Sequence, residues 1–365
     1  MTSDEAKSMT YMLSGIYLCI IGVLGVFANV LIVLVFWKYR RLRTATNLFL
    51  LNLGLCDLAV ALLDVIFSIV STWQQRWMFS EATCITYGFL HYFFACVTVS
   101  TLAGISIDRF YVITKPADGS WITKPRAGVM ILIIYLYTLL FTFPPLLGWS
   151  EFALERVYHS GCYINYDDGK LATSLYAIVV TLFFFLVPFI IMLYCYYHIF
   201  MTVRRSTMRK LASVIIPRHK SLRRPLSTQA HVKTARMISI VLVFFVIVWA
   251  PYFVNALLRS MWDPDSVPHL FTHISILLTK TCVVYNAVIY AVVNHKFRTA
   301  FLNTLCCCRK GRPSSHLPGS MIYSRGHSRV DSFHNSPKTF SHKQRERRMS
   351  ARSTGETGKG PEDRG

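Results

Sequence analysis

Apolar residues gather in seven long runs, at about 11–37, 46–73, 82–113, 127–149, 171–203, 232–261 and 268–293. Each holds roughly twenty residues or more, which as a helix crosses the hydrocarbon core of a bilayer. A membrane barrel would instead show short segments of alternating polarity, and the sequence has none. The pattern predicts an all-α membrane protein, a bundle of seven transmembrane helices.

Lysines and arginines collect after alternate runs. Lys38, Arg40, Arg41 and Arg43 follow the first, Arg109, Lys115, Lys124 and Arg126 the third, the stretch 204–233 the fifth, and Lys296 onward the seventh. By the positive-inside rule, residues 1–10 face the outside and everything past 293 is cytoplasmic. The segment 294–308 reads as a short amphipathic helix ending in cysteines, and 309–365 as a disordered cytoplasmic tail rich in serine, threonine and basic residues. The first run is too long for a cleavable leader and is expected to act as its own insertion signal.

Composition sharpens this picture. Of 365 residues, 53% are hydrophobic and 16% charged, which excludes an ordinary soluble domain. The formal net charge of +21 sits mainly on the cytoplasmic face, where it attracts anionic lipid and acidic protein surfaces. Because the basic residues flank spans and form no basic domain, nucleic acid is not an expected partner. Among the cysteines, Cys84 at the outer end of the third run and Cys162 in the loop after the fourth are best placed in the oxidising compartment, and they are expected to form a disulfide. Cys19, Cys56, Cys96, Cys195 and Cys282 read as small apolar residues inside spans. Cys306, Cys307 and Cys308 lie at the cytoplasmic membrane face and are palmitoylation candidates. No metal site is expected.

One residue interrupts the seventh run. Lys280 lies near its middle, where a free ammonium is costly and a functional role is the default reading. A lysine that snorkels to the interface would sit nearer an end. A desolvated amine loses its proton readily and condenses with aldehydes, so Lys280 is expected to be a covalent attachment site. Other polar residues also sit at bilayer depth. Asn29, Asp57, Asn286 and Tyr290 are expected to form a polar network in the cytoplasmic half, while a second acid, Asp64, lies about two turns further outward. Pro188 in the fifth run and Pro251 in the sixth, two residues after Trp249, predict kinks, the second a candidate hinge.

Seven spans carrying, in order, Asn29, Asp57, Asp108-Arg109-Phe110, Trp249-x-Pro251 and Asn286-Ala287-x-x-Tyr290 resemble the rhodopsin-like G-protein-coupled receptors over about residues 11–308. Lys280, six residues before Asn286, makes the chain similar to the opsins of invertebrate or non-visual type. The resemblance implies retinal, 11-cis in the dark, joined to Lys280 as a Schiff base. It implies Trp249 and Tyr252 at the ring end of the pocket, with Tyr92, Phe94, Ala95 and Phe184 tuning colour. It places Asp108 and Arg109 in an inner lock, and Tyr196 and Tyr290 as supports of the open form. The implied partners are a heterotrimeric G protein, arrestin, a receptor kinase and membrane lipid, and the implied location is the plasma membrane. Three positions depart from the family: Ala287 replaces a usual proline, Phe110 a usual tyrosine, and Tyr87 the glutamate of vertebrate visual opsins.

That last departure leaves open which anion faces the charged nitrogen on Lys280, since a buried cation needs a buried partner. Counted forward from Trp149, Glu155 matches the loop glutamate of many invertebrate opsins; counted back from Cys162, the place falls on Arg156. Asp64 is the rival. Glu155 is the preferred expectation, and a third outcome is that neither acid serves and the linkage is uncharged. Absence of the glutamate at 87 predicts a bistable pigment. The expected function is a light-activated receptor and not an enzyme. The alternatives are a retinal photoisomerase and a rhodopsin-like receptor for a diffusible ligand.

Overall fold

Among the described residues, seven helices are long and apolar enough to cross a membrane. The computed structural model describes residues 3–115, 122–156, 158, 161–215, 228–262, 264–293 and 295–306. Helix α1 is Ser3–Lys38. Helix α2 runs Ala45–Leu63, passes through a π turn at Asp64–Ser68 and ends as Ile69–Trp73. Helices α3 and α4 are Glu81–Thr114 and Lys124–Thr142. Helix α5 runs Leu171–Thr181, a π turn at Leu182–Leu186, then Val187–Ile215. Helix α6 is Thr228–Met261. Helix α7 comes in two pieces, His269–Lys280 and Cys282–Val293, and the short α8 is His295–Cys306.

Sequence dictates several of these boundaries. Thr44 caps α2 by accepting from the Asn47 amide at 3.3 Å, and Ser80 caps α3 by accepting from Thr83 at 3.3 Å. The π turn in α5 falls just before Pro188, which has no amide to complete the ladder. Helix α1 begins at Ser3 rather than at residue 11, because Glu5, Ala6, Lys7 and Met9 are good helix formers and nothing there breaks the ladder. A polar start does not stop a helix; it only leaves the bilayer.

Helix α3 is the most buried of the seven and α4 the least, so α3 is the post around which the others pack. Gly25 allows α1 to approach α7 closely: a Cβ there would lie 2.6 Å from Val283 Cγ2. Between α4 and α5, β1 (Phe152–Leu154) and β2 (Cys162–Ile164) pair antiparallel, Phe152 opposite Ile164 and Leu154 opposite Cys162. The expected Cys84–Cys162 disulfide, Cα–Cα 5.4 Å, pins this hairpin to the start of α3. Cys56, Cys96, Cys195 and Cys282 are free and buried, as small apolar residues should be.

Residues 216–227 between α5 and α6, Cys307, Cys308 and residues 309–365 lie outside the described residues, as do the side chains of Tyr290 and Cys306.

Candidate functional site

Lys280 is the last residue of the first piece of α7 and is only 1% exposed. The helix is interrupted at Thr281, whose hydroxyl is 2.6 Å from the Tyr17 hydroxyl; Tyr17 also donates to the Leu277 carbonyl at 3.0 Å. A tyrosine from α1 thus satisfies backbone that the break sets free. The lysine stem runs into the bundle, and Nζ donates to Asp64 Oδ1 and, at 3.0 Å, to the Tyr87 hydroxyl. Tyr87 in turn donates to Asp64 Oδ1 at 2.9 Å. Asp64 opens the π turn of α2 and is 4% exposed. The extra residue in that turn shifts the face on which the following side chains lie, which is why such turns recur at functional sites.

Two further groups complete the cluster. His91, one helical turn after Tyr87 on the same face of α3, places Nε2 3.5 Å from Asp64 Oδ1. Tyr163 of β2 presents its ring 5.6 Å from Lys280 Nζ. Burial pushes the Tyr163 phenol up against the lowering pull of Lys280, so it faces the amine as a neutral ring. The arrangement meets the rule that a buried charge is paired and hydrogen-bonded. Chemically, it can hold one positive charge at Nζ against one fixed anion with water largely excluded.

Beside the cluster lies a cavity lined by Gly88, Tyr92, Ala95, Trp249, Tyr252, Ile276 and Thr279, with His91 and Tyr163 at the lysine side. Trp249 and Tyr252 come from α6 and are buried. Phe184 is fully buried and joins the same aromatic core through Tyr137, while Phe94 is half-buried. A Cβ at Gly88 would sit 3.0 Å from the Cys162 carbonyl and from Phe152, so glycine lets the hairpin lie close against α3. The lining residues suit an apolar molecule, and the amine near them suits an aldehyde. Tyr92, Tyr163, Trp249 and Tyr252 give the cavity aromatic walls, the indole Nε1 of Trp249 is buried with no hydrogen-bond partner among the described residues, and the Lys280 amine lies 5.6 Å from the ring of the lining residue Tyr163.

Glu155 is elsewhere. It follows β1, its amide donates to the Gly161 carbonyl at 3.0 Å, and its carboxylate faces His273 Nδ1 at 3.8 Å. His273 lies two turns before Lys280, with Nε2 2.9 Å from the Ser14 hydroxyl and its ring against Tyr158 at 4.1 Å. The preference for Glu155 over Asp64 therefore has no contact to rest on: the hairpin register sets this carboxylate over the outer end of α7 while Asp64 touches the amine. Arg259 at the end of α6 donates to Asp167 through Nε at 2.6 Å and a terminal nitrogen at 2.5 Å, and to Thr272 at 3.1 Å. This partly buried pair fastens the loop past β2 to α6 and α7.

At the opposite end Asp57 of α2 meets Asn286 of the expected network, while Asn29 bonds instead to the Gly25 and Val283 carbonyls and the Tyr290 side chain lies outside the described residues. Asp57 accepts from Asn286 at 3.0 Å and from Thr98 at 3.0 Å, and Asn29 donates to the Val283 carbonyl at 2.8 Å. Arg109 is held by its neighbour Asp108 and by the Thr46 hydroxyl of α2. Tyr196 packs its ring 6.1 Å from Phe200. Sequence reasoning missed His91, Tyr163, His273 and the Arg259–Asp167 pair. The spacing of Tyr87 and His91 was the one readable signal.

Residues 28–290 match the family described as 7 transmembrane receptor (rhodopsin family). The chain is 32% identical over 300 residues to a melanopsin of Branchiostoma belcheri, covering 81% of this chain and 42% of that protein. It thus spans less than half the length of that relative. It is 30% identical over 291 residues to the human visual pigment-like receptor peropsin, covering 80% of this chain and 83% of that protein. The crystal structure of squid rhodopsin superposes with a TM-score of 0.74 at 27% identity, covering 84% of this chain and 89% of that one.

Proposed function

The chain belongs to the rhodopsin family of seven-transmembrane receptors, as an opsin-type multi-pass membrane protein, and from that premise we propose that it senses light through retinal held on Lys280. Bound there as a Schiff base, retinal supplies light absorption and a double-bond isomerisation. The observation that carries the reading is a buried lysine whose Nζ contacts a buried acid and a tyrosine hydroxyl beside an aromatic cavity.

The protein's own residues do the rest. Asp64 balances the positive charge at Nζ, and Tyr87 orients that carboxylate. Trp249 and Tyr252 line the cavity from α6, and the disulfide-pinned hairpin lines it with Tyr163 and Ile164. Arg109, tied to Asp108 and Thr46, keeps the inner end closed. Light shifts the population toward a form in which that tie opens, with Tyr196 and Tyr290 as supports, and a groove admits the carboxy-terminal helix of a G-protein α subunit. We take the dark isomer as 11-cis, the pigment as bistable, the first terminus as extracellular and the plasma membrane as the location. Arrestin and a receptor kinase are the further partners, and Cys306, Cys307 and Cys308 the lipid-modified residues.

The test is expression with 11-cis retinal, a dark spectrum, and nucleotide exchange on a G protein before and after illumination. A pigment that forms in the wild type but not in Lys280→Ala, and that drives exchange only in light, is the expected result. A pigment that releases 11-cis retinal and never drives exchange would move the assignment to a photoisomerase. Equal chromophore uptake by Lys280→Ala would refute it.

A further inference from the structure

His91 is 7% exposed, faces the chromophore cavity, and has no hydrogen-bond partner at Nε2 among the described residues, with Asp64 Oδ1 3.5 Å from that nitrogen. Around it stand Asp64 from α2, Tyr87 on its own helix, Lys280 from α7, and Tyr163 from β2, whose ring meets the imidazole edge-on at 6.4 Å. A buried imidazole nitrogen facing a carboxylate oxygen is favoured as N–H, because a lone pair there would repel the anion. Asp64 Oδ1 then accepts from Lys280 and Tyr87, and His91 Nε2 makes a third, longer approach to the same oxygen at 3.5 Å.

From this we propose that His91 is a positioning residue that sets the colour of the dark pigment by drawing negative charge of Asp64 toward itself. The inference rests on the reading of Lys280 as the chromophore site. Each donor to a carboxylate spreads its charge and weakens its hold on the others. Absorption by a cationic polyene imine moves positive charge away from its nitrogen, so a weaker anion beside that nitrogen lowers the energy of the transition. His91 therefore holds the band at longer wavelength than Asp64 and Tyr87 alone would give. This effect on colour runs through Asp64.

The experiment compares the dark absorption maxima of the wild type, His91→Phe and His91→Gln, with His91→Leu in reserve should the bulkier variant not accumulate. The expected result is a shift to shorter wavelength in His91→Phe or His91→Leu, most of it recovered in His91→Gln, which restores a donor. An unchanged band, a shift to longer wavelength, or an equal shift in His91→Gln overturns the proposal. A second readout uses the retinal-free protein. Its infrared carboxylate stretch, assigned by difference against Asp64→Asn, should move in His91→Phe, and an unmoved stretch counts against the contact. If the wild type forms no pigment, the chromophore reading fails while the infrared arm still decides whether His91 holds Asp64.

Discussion

Replacing Asp64 by Asn removes one negative charge and almost no volume, so it isolates the electrostatic role. Both ends of the pair are buried, Lys280 to 1% and Asp64 to 4% exposure, and they touch. Two unit charges about 4 Å apart attract by about 4 kcal/mol at an effective dielectric near 20. Since about 1.4 kcal/mol is tenfold, the ratio of charged to uncharged linkage on Lys280 falls by about a thousandfold in the variant. The assay is the dark spectrum of purified Asp64→Asn at neutral pH. The visible band should collapse into one in the near ultraviolet and return on acidification, while Glu155→Gln keeps the wild-type band. If Asp64→Asn keeps a visible band and Glu155→Gln loses it, the contact seen at Lys280 is not the one that matters in the pigment.

Two further outcomes concern stability. Arg259→Ala takes the two-pronged partner from the half-buried Asp167 carboxylate, while Thr272 keeps its bond to Asn255 at 2.8 Å; a broken buried pair costs about 3–5 kcal/mol, and the lower end applies because Arg156 remains 3.8 Å from Asp167. A lower thermal midpoint and faster attack by hydroxylamine on the dark pigment are expected; an unchanged attack rate argues against the pair as a fastening for the lid. Asp57→Ala leaves Asn286 and Thr98 without their acceptor, at about 1–3 kcal/mol for each unsatisfied buried group. Thermal unfolding of the purified protein should show the loss, and a midpoint equal to that of the wild type would mean that water replaces the carboxylate.

The spans were legible because hydropathy is a one-dimensional property, and Lys280 because a cation at bilayer depth is conspicuous in any register. The disulfide followed from compartment alone. What the sequence could not reveal is which side chains converge. Asp64 and Glu155 lie 216 and 125 residues from Lys280, and choosing between them needs the face of α2 after its π turn and the register of a hairpin only three residues long on each side. Neither carries a periodic signal. His91 lies in a mostly apolar span and His273 near a helix start, and nothing beside them along the chain points to Asp64 or Glu155. The interruption at Thr281 was hidden for a related reason: no glycine or proline marks it, and a tyrosine from another helix stabilises it.

The π turn in α2 amounts to one surplus residue wound into a helix, and it sits where the acid meets the amine. Each residue advances an ideal α-helix by about 100°. Losing one residue upstream in α2 would therefore carry the carboxylate off toward a neighbouring helix or the lipid, with every side chain chemically unchanged. Insertions and deletions in this helix are thus a route, separate from substitution, by which a related chain could gain or lose its charge partner and exchange visible for ultraviolet sensitivity in one step.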